Sequence, residues 1–207
     1  MTTQMQFARQ GVVTKEMEFV AREENLSPEF IREGVAKGTI AICCNVNHKN
    51  LKPCGVGAGL RVKVNANIGT SDSFPELAPE LGKLHAAIAA GADSIMDLST
   101  GGNITASRRA IIGASDVMVG TVPIYQVAVK TIQKYGAVVE MTKEDLFDVI
   151  RMQAQDGADF MTLHCGINRN VLKALTDEGR IMDVVSRGGS FITGWMLHNG
   201  EDNPLYD

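Results

Sequence analysis

Polar residues with binding chemistry stand at the ends of several apolar runs that have the length of strands. The candidates are Asn65 and Asn67 in VNANIG, Met96 and Asp97 in IMDLST, Tyr125 in TVPIY, His164 in LHCG, and Ser186, Arg187, Gly188 and Gly189 in SRGGS. In parallel α/β folds, ligands bind at the carboxyl ends of the strands, so each of these positions merits a functional interpretation.

The SRGGS segment combines the groups that a phosphate monoester needs. Ser186 supplies a hydroxyl, Arg187 a guanidinium, and the glycines a flexible backbone whose N–H groups can turn toward an anion. The pattern alone has low specificity, because an ordinary strand-to-helix turn with a solvated arginine has the same letters. The two interpretations carry similar weight without further context.

The remaining candidates each have a structural interpretation beside the functional one. His164 could exchange a proton or a hydrogen bond near neutral pH, although a lone histidine at a strand end is more often a structural group. Asn67 and Tyr125 could orient a heterocycle and a ribose, or could satisfy buried backbone groups. Met96 is more commonly a core residue than a ligand contact.

The cysteines and histidines predict no metal site. Neither a C-x-x-C pair nor a three-cysteine iron-sulfur spacing is present, and no two histidines stand four residues apart. We expect reduced thiols, a surface position for His85 and a packing role for Cys165. The residues concerned are Cys43, Cys44, Cys54 and Cys165, and His48, His85, His164 and His198.

The composition excludes several classes of partner. With 20 Lys+Arg against 24 Asp+Glu and a net charge of -4, the 207 residues contain no basic stripe for nucleic-acid phosphates. The first letters, MTTQMQFARQ, lack the features of a signal peptide, and no run reaches the roughly 18 apolar residues of a membrane helix. We therefore expect a cytoplasmic protein without nucleic-acid or membrane partners.

The chain divides into a helical lead-in, residues 1–60, and an alternating part, residues 61–207. In the lead-in, Thr14 is placed to cap the helix TKEMEFVAREE, and Ser27-Pro28 to start a second helix. After residue 60, short apolar runs alternate with amphipathic stretches, which predicts β-α units on a parallel sheet. The predicted strands lie in RVKVNANIG, SIMDLS, VMVGTVPIY, FMTLHCGI and VVSRGGS.

We expect these units to form a (β/α)8 TIM-type barrel. A Gly-Ala-Asp junction joins helix to strand twice, at 91–93 and at 157–159, as in a repeated unit. A doubly wound open sheet predicts the same alternation, but its G-x-G-x-x-G fingerprint is missing after RVKVNANIG. The chain contains about five units where a closed barrel needs eight, so the barrel is expected to be incomplete. Its open edges would need cover from a second copy, as in a homodimer, or from a missing C-terminal half.

Seven runs, taken together and in order, resemble the ThiC family of phosphomethylpyrimidine synthases. They are QMQFARQGVVTKEMEFVA, VNANIGTS, GADSIMDLSTGGNI, VGTVPIYQ, GADFMTLHCGINR, VVSRGGSFITGW and NPLY. The resemblance implies a central (β/α) barrel and a radical carbon-carbon lyase reaction of thiamine biosynthesis. In that reaction, S-adenosylmethionine and a [4Fe-4S] cluster convert aminoimidazole ribotide into hydroxymethylpyrimidine phosphate, with formate and carbon monoxide as by-products. The family also carries a zinc-type divalent metal.

The resemblance further implies a set of substrate contacts. Under it, the Ser-Arg-Gly turn holds the ribotide phosphate, while the asparagine, tyrosine and histidine fix the imidazole and the ribose for radical attack. These contacts are Asn67, Met96, Tyr125, His164, Ser186, Arg187 and Gly188. The family thus points to the same residues as the ends of the predicted strands.

Two departures from the family pattern bear on activity. The run ICCNVNH places Cys43 and Cys44 where the family usually has a Pro-Ala-type segment. The family's Cys-x-x-Cys-x-x-x-x-Cys cluster motif and its metal-binding histidine do not occur before Asp207. We therefore expect an N-terminal half that ligates no cluster or zinc and does not catalyse the reaction by itself.

Three other interpretations remain open from the sequence. The hydroxybenzimidazole synthases of cobamide lower-ligand synthesis belong to the same superfamily and use the same ribotide. A non-catalytic module that binds the ribotide would need the phosphate turn without the cluster. A half-barrel that does not fold by itself would owe the resemblance to ancestry alone.

Overall fold

A computed structural model describes residues 2–206 as a mixed α/β fold. The helices are α1 (Gln4–Arg9), α2 (Lys15–Glu24), α3 (Pro28–Lys37), α4 (Leu77–Ala89), α5 (Ile104–Ala114), α6 (Pro123–Tyr135), α7 (Lys143–Asp156), α8 (Arg169–Glu178) and α9 (Arg187–Asn199), with a 3-10 helix at Val138–Glu140. The strands are β1 (Ile40–Cys43), β2 (Cys54–Gly57), β3 (Asn65–Ile68), β4 (Ser94–Asp97), β5 (Met118–Thr121) and β6 (Phe160–Met161). The outer limits of the two predicted segments, Met1 and Asp207, lie outside the described residues.

The lead-in contains the predicted helices and an additional hairpin. Thr14 caps α2 by accepting a hydrogen bond from the Met17 N–H, and Ser27 caps α3 in the same way. Both caps confirm the sequence prediction. The antiparallel pair β1–β2 was not predicted, because both strands are only four residues long and β2 is Gly-rich. A separate small core holds this part together, formed by Ala8, Met17, Val20, Ala21, Ile31, Val35 and Ile40.

The four remaining strands form one parallel sheet in the order β3-β4-β5-β6. The predicted alternation of strands and helices on a parallel sheet is therefore confirmed. Side chains alternate between the two faces of a strand, and one face of this sheet packs on α4 and α5. That core consists of Ile68, Leu84, Ile95, Ile111, Ile112 and Val119. Asn65, Asn67 and Met96, which alternate with these apolar residues, lie on the other face.

Three predicted strands end earlier than expected or are absent. The run VMVGTVPIY forms a strand over Met118–Thr121 and then turns into α6, since Pro123 suits the first turn of a helix and has no N–H for a sheet. In FMTLHCGI, the strand covers Phe160–Met161 alone. The predicted strand before Ser186 is wrong: Val185 is 67% exposed, and no neighbouring strand pairs with it in residues 2–206. The described part of the chain thus contains four β-α strands rather than five.

The two Gly-Ala-Asp junctions make the same contacts, at the amino ends of the strands. The Asp93 N–H donates to the Val64 carbonyl, and the Val64 N–H donates back to the Asp93 carboxylate at 2.8 Å. Asp159 exchanges the same two bonds with Val119, also with 2.8 Å to the carboxylate. Each aspartate therefore fixes its own strand against the start of the strand before it.

Asp159 also connects the sheet to the lead-in through His48. His48 is buried, with Nδ1 2.7 Å from the Asp159 carboxylate and Nε2 2.9 Å from the Ser115 carbonyl. Burial by itself lowers the pKa of His48, but the bonds to Asp159 and to the Ser115 carbonyl raise it overall above its ordinary value. Since both ring nitrogens face acceptors, the protonated imidazolium satisfies both contacts.

No helix within residues 2–206 is both long and apolar enough to cross a membrane.

We predict that His48→Gln destabilises the chain, and more so at low pH. The raised pKa means that His48 contributes its full stabilisation below the ordinary histidine value and loses it as the pH rises through the folded-state pKa. The loss in the free energy of unfolding should be about 2 kcal/mol or more near pH 5.5 and clearly smaller near pH 9. Urea denaturation at a series of pH values measures it. His85→Gln, on the exposed side of α4, is the matched control, and equal losses at both pH values would contradict the prediction.

Candidate binding site

The candidate site lies at the carboxyl edge of the parallel sheet, where the strand register aligns its residues. Asn67 pairs with Met96, Met96 with Gly120, and Gly120 with Phe160, so these positions form one row across β3 to β6. The missing side chain of Gly120 leaves room for the Phe160 ring, which a Cβ at this position would overlap. Asn67 and Met96 are therefore neighbours on one face of the sheet.

Asn67 is held by a short chain of polar side chains on the same face. The Asn65 side-chain amide donates to Asn67 Oδ1 at 2.9 Å, and Ser94 donates to Asn65 Oδ1 at 2.8 Å. Since Asn67 itself is exposed, its own amide N–H groups point toward a side of the sheet that solvent reaches. Asn67 can thus donate to a ligand at this edge while Asn65 keeps it in orientation.

Asp97, another strand-end candidate, serves the protein itself. Its carboxylate accepts from the Ser99 N–H at 3.0 Å and from the Ser99 hydroxyl at 2.6 Å. It lies on the sheet face opposite to Met96, and its burial raises the pKa of its carboxyl above the ordinary value. Asp97 thus shapes the turn after β4 and lies on the face of the sheet that does not carry Asn67 and Met96.

Ser186, Arg187 and Gly188 form the beginning of α9. Ser186 is the N-cap, and its Oγ accepts from the Gly189 N–H at 3.2 Å. The N-terminus of a helix carries partial positive charge and unpaired N–H groups, which favours bound anions. Arg187 adds a full positive charge, and its guanidinium carbon lies 5.5 Å from the centre of the Tyr125 ring. Tyr125 stands in the first turn of α6 rather than at the end of a strand, and there it supports Arg187.

His164 lies against the same helix N-terminus. Its Nε2 is 3.1 Å from Ser186 Oγ, and its ring occupies the space over Gly188, where any Cβ would overlap it. Burial lowers the pKa of His164 below its ordinary value, so the ring is neutral at neutral pH. In the neutral ring, Nε2 can accept a hydrogen bond from the Ser186 hydroxyl, and Nδ1 then carries the N–H.

The structure therefore gathers the predicted residues into two groups. Five of them contact one another around the start of α9, whereas Asn67 and Met96 form the second group on the neighbouring strands. The two groups are connected through packing, since Met96 and Tyr125 both lie on the core cluster that includes Val122 and Trp195. The five residues of the first group are Tyr125, His164, Ser186, Arg187 and Gly188.

One residue that supports the site was not among the candidates. The Asn203 side-chain amide donates to the carbonyls of His164 and Ile167, at 2.8 and 3.0 Å. The sequence signal was the polar Asn203 in the run NPLY, but its partners are 36 and 39 residues away along the chain. Only the fold brings them together.

The described residues do not fit an iron-sulfur cluster or a zinc ion. No group of three or more His, Cys, Asp or Glu side chains in residues 2–206 could hold a metal. Cys43 faces Cys54 across β1–β2, and burial raises the pKa of its thiol to about 11, which disfavours the thiolate that a metal requires. Cys165 is exposed in the loop after β6, so the expected packing role for it is wrong. His85 is exposed on α4, as predicted.

The fold and the site define a class: an α/β protein with a parallel sheet and a helix N-terminus that carries a serine cap and an arginine. Comparison with known proteins narrows this further. The model of the Radical SAM ThiC family matches residues 3–207. The chain therefore belongs to the Radical SAM ThiC family, as the sequence resemblance predicted.

Curated relatives share more than half of the aligned residues with the chain. A phosphomethylpyrimidine synthase of Thermoanaerobacter sp. (strain X514) is 59% identical over 204 residues, covering 99% of this chain and 47% of the relative. Proteins of the same name are 56% identical in Moorella thermoacetica, over 47% of the relative, and 53% identical in Dehalococcoides mccartyi, over 48%. The chain spans about half the length of the curated relatives it matches.

We predict that Gly188→Ala displaces the His164 ring, because the added methyl group would overlap it. The ring then gains solvent, and the pKa of His164 rises toward its ordinary value. Proton NMR titration of the histidine ring signals measures this pKa. Gly194→Ala, in the same helix, is the control, since its Cβ would meet nothing nearer than Val139 at 3.9 Å. A His164 pKa that is the same in both variants would show that Gly188 does not make room for the ring.

Proposed function

We propose that this chain binds aminoimidazole ribotide and supplies much of the substrate site of a phosphomethylpyrimidine synthase. The single observation that carries the proposal is the assembly of Ser186, Arg187 and His164 around the N-terminus of α9. Membership of the Radical SAM ThiC family supports it, because the relatives that match over 99% of the chain are named phosphomethylpyrimidine synthase.

The phosphate of the ribotide would bind at the start of α9. Arg187 offers a guanidinium and the first turn its backbone N–H groups, all at the positive end of the helix, and the Ser186 hydroxyl would turn from His164 to the phosphate when the ribotide binds. The Tyr125 ring limits the motion of the Arg187 side chain, which lowers the entropy lost when the phosphate binds. The phosphate thereby becomes the anchor that sets the position of the rest of the substrate.

The imidazole and the ribose would lie between α9 and the β3–β4 edge. A neutral His164 can donate from Nδ1 to a ribose hydroxyl or a ring nitrogen, and Asn67 can donate from its side-chain amide. Met96 offers an apolar surface to the flat heterocycle. Orientation has particular weight in radical chemistry, because a misplaced substrate lets the radical react elsewhere.

The complete reaction would need groups that residues 2–206 do not hold. In the proposed enzyme, S-adenosylmethionine and a [4Fe-4S] cluster supply the radical, and a zinc-type ion accompanies them. The cluster and metal ligands would come from a further part of the family's sequence, while this chain orients the ribotide. That part would also close the (β/α)8 barrel whose first strands we assign to residues 61–207, with residues 1–60 as the lead-in domain.

A hydroxybenzimidazole synthase is the alternative with the same substrate. The relatives' name favours the thiamine enzyme, and the product separates the two. We would combine the chain with the remaining half of the Thermoanaerobacter relative, S-adenosylmethionine and a reductant, and identify the product by mass spectrometry. Hydroxymethylpyrimidine phosphate is expected, and hydroxybenzimidazole would overturn the assignment.

We predict that Arg187→Gln weakens the binding of aminoimidazole ribotide about ten- to hundredfold, because a charged hydrogen bond to the phosphate is lost. Isothermal titration calorimetry with the ribotide and with the corresponding riboside, which lacks the phosphate, measures the effect. The variant should lose affinity for the ribotide and bind the riboside unchanged.

Arg151→Gln is the matched control for this experiment. Arg151 is also an exposed arginine near an aromatic ring, with 6.0 Å to the centre of Phe147, but it lies on α7 away from the site. Its substitution should leave both affinities unchanged. Absence of ribotide binding by an unmodified chain that melts cooperatively would reject the proposed function, and a chain without a cooperative melt would support the half-barrel interpretation instead.

A further inference from the structure

His164 is held by two segments, one on each side of α9. Its side chain contacts Ser186 and Gly188 at the start of the helix, while its main-chain carbonyl accepts from Asn203, four residues beyond the helix end. Because His164 lies in the irregular stretch after β6, no sheet or helix hydrogen bonds fix its backbone. The orientation of the ring therefore depends on contacts made by other segments.

The burial and the hydrogen bonds of Asn203 suit it to hold the 164–167 loop in place. It is 3% exposed, its amide donates to the His164 and Ile167 carbonyls, and its Oδ1 accepts from the Leu205 N–H at 3.0 Å. Both N–H groups of its side-chain amide and its Oδ1 are thus hydrogen-bonded within the protein. A buried amide in this situation is costly unless each partner is in place, so it selects one conformation of the 164–167 loop.

A neighbouring ion pair brings Asn203 to this loop. Arg169, at the start of α8, binds the Asp202 carboxylate through Nε and the Gly200 carbonyl through Nη2. The segment after α9 is therefore attached to the segment after His164 at several points. These bonds hold the exposed segment after α9 close to the loop after β6, where the buried Asn203 side chain contacts it.

We infer that Asn203 is a positioning residue of the ribotide site: it fixes the 164–167 loop so that His164 faces the start of α9. The inference rests on the proposed function for the identity of the substrate. Its geometric part, the dependence of the His164 ring on Asn203, stands on the hydrogen bonds alone. Asn203 does not need to touch the ribotide for this role.

The test compares Asn203→Ser with Asn199→Ser. Asn199 is the matched control, because its side-chain amide also donates to two carbonyls, those of Val139 and Trp195, at the other end of α9. In Asn203→Ser, the loop loosens and the His164 ring gains solvent, so its NMR-determined pKa should rise toward the ordinary value. Ribotide affinity, measured by calorimetry, should fall about tenfold. Both quantities should stay unchanged in Asn199→Ser.

A second variant covers the case in which Asn203→Ser does not fold. Asn203→Leu keeps the approximate size of the side chain and removes its hydrogen bonds to His164, Ile167 and Leu205 without adding a charge. It should shift the two quantities in the same directions. An unchanged His164 pKa in a folded Asn203 variant would overturn the inference. An unmodified chain that binds no ribotide would instead reject the proposed function, while the pKa comparison would still decide the role of Asn203.

Discussion

The two aspartates of the Gly-Ala-Asp junctions fix where parallel strands begin, and the site at the opposite edge depends on that start. Asp93 and Asp159 each bond the backbone of the preceding strand, which sets the register between neighbours. A slip of one residue would turn every side chain to the other face of the sheet. Asn67 and Met96 would then point into the apolar core under α4 and α5. Asp159 also carries the bond to His48, so the lead-in is attached at the same place.

At the carboxyl edge, the site combines a fixed row on the strands with a helix N-terminus. The strands place Asn67 and Met96 side by side, whereas α9 brings Ser186 and Arg187 from a part of the chain that has no strand of its own. His164 connects the two parts, because it follows β6 and lies on α9. Binding of a phosphate at α9 would thus hold a substrate whose other end reaches the strands.

Local patterns predicted the elements whose causes are local. Thr14 and Ser27 cap helices as expected, and the alternation of apolar runs predicted the parallel sheet. Two wrong predictions have different causes. Val185 belongs to an apolar run but has no strand beside it in the described residues, which depends on distant parts of the chain. Tyr125 lies in a helix because of a local signal, since Pro123 favours the first helical turn. The support from Asn203 could not be predicted, since it depends on carbonyls at least 36 residues away.

The most direct test of the account is NMR mapping of ribotide binding on the isotope-labelled chain. If the ribotide phosphate binds at the start of α9, the largest chemical-shift changes will occur at the backbone amides of residues 186–190 and at the His164 ring. Smaller changes should follow at Asn67 and Met96. Changes centred on the groove between α6 and α7, which Lys130 and Lys134 line, with residues 186–190 unaffected, would contradict it.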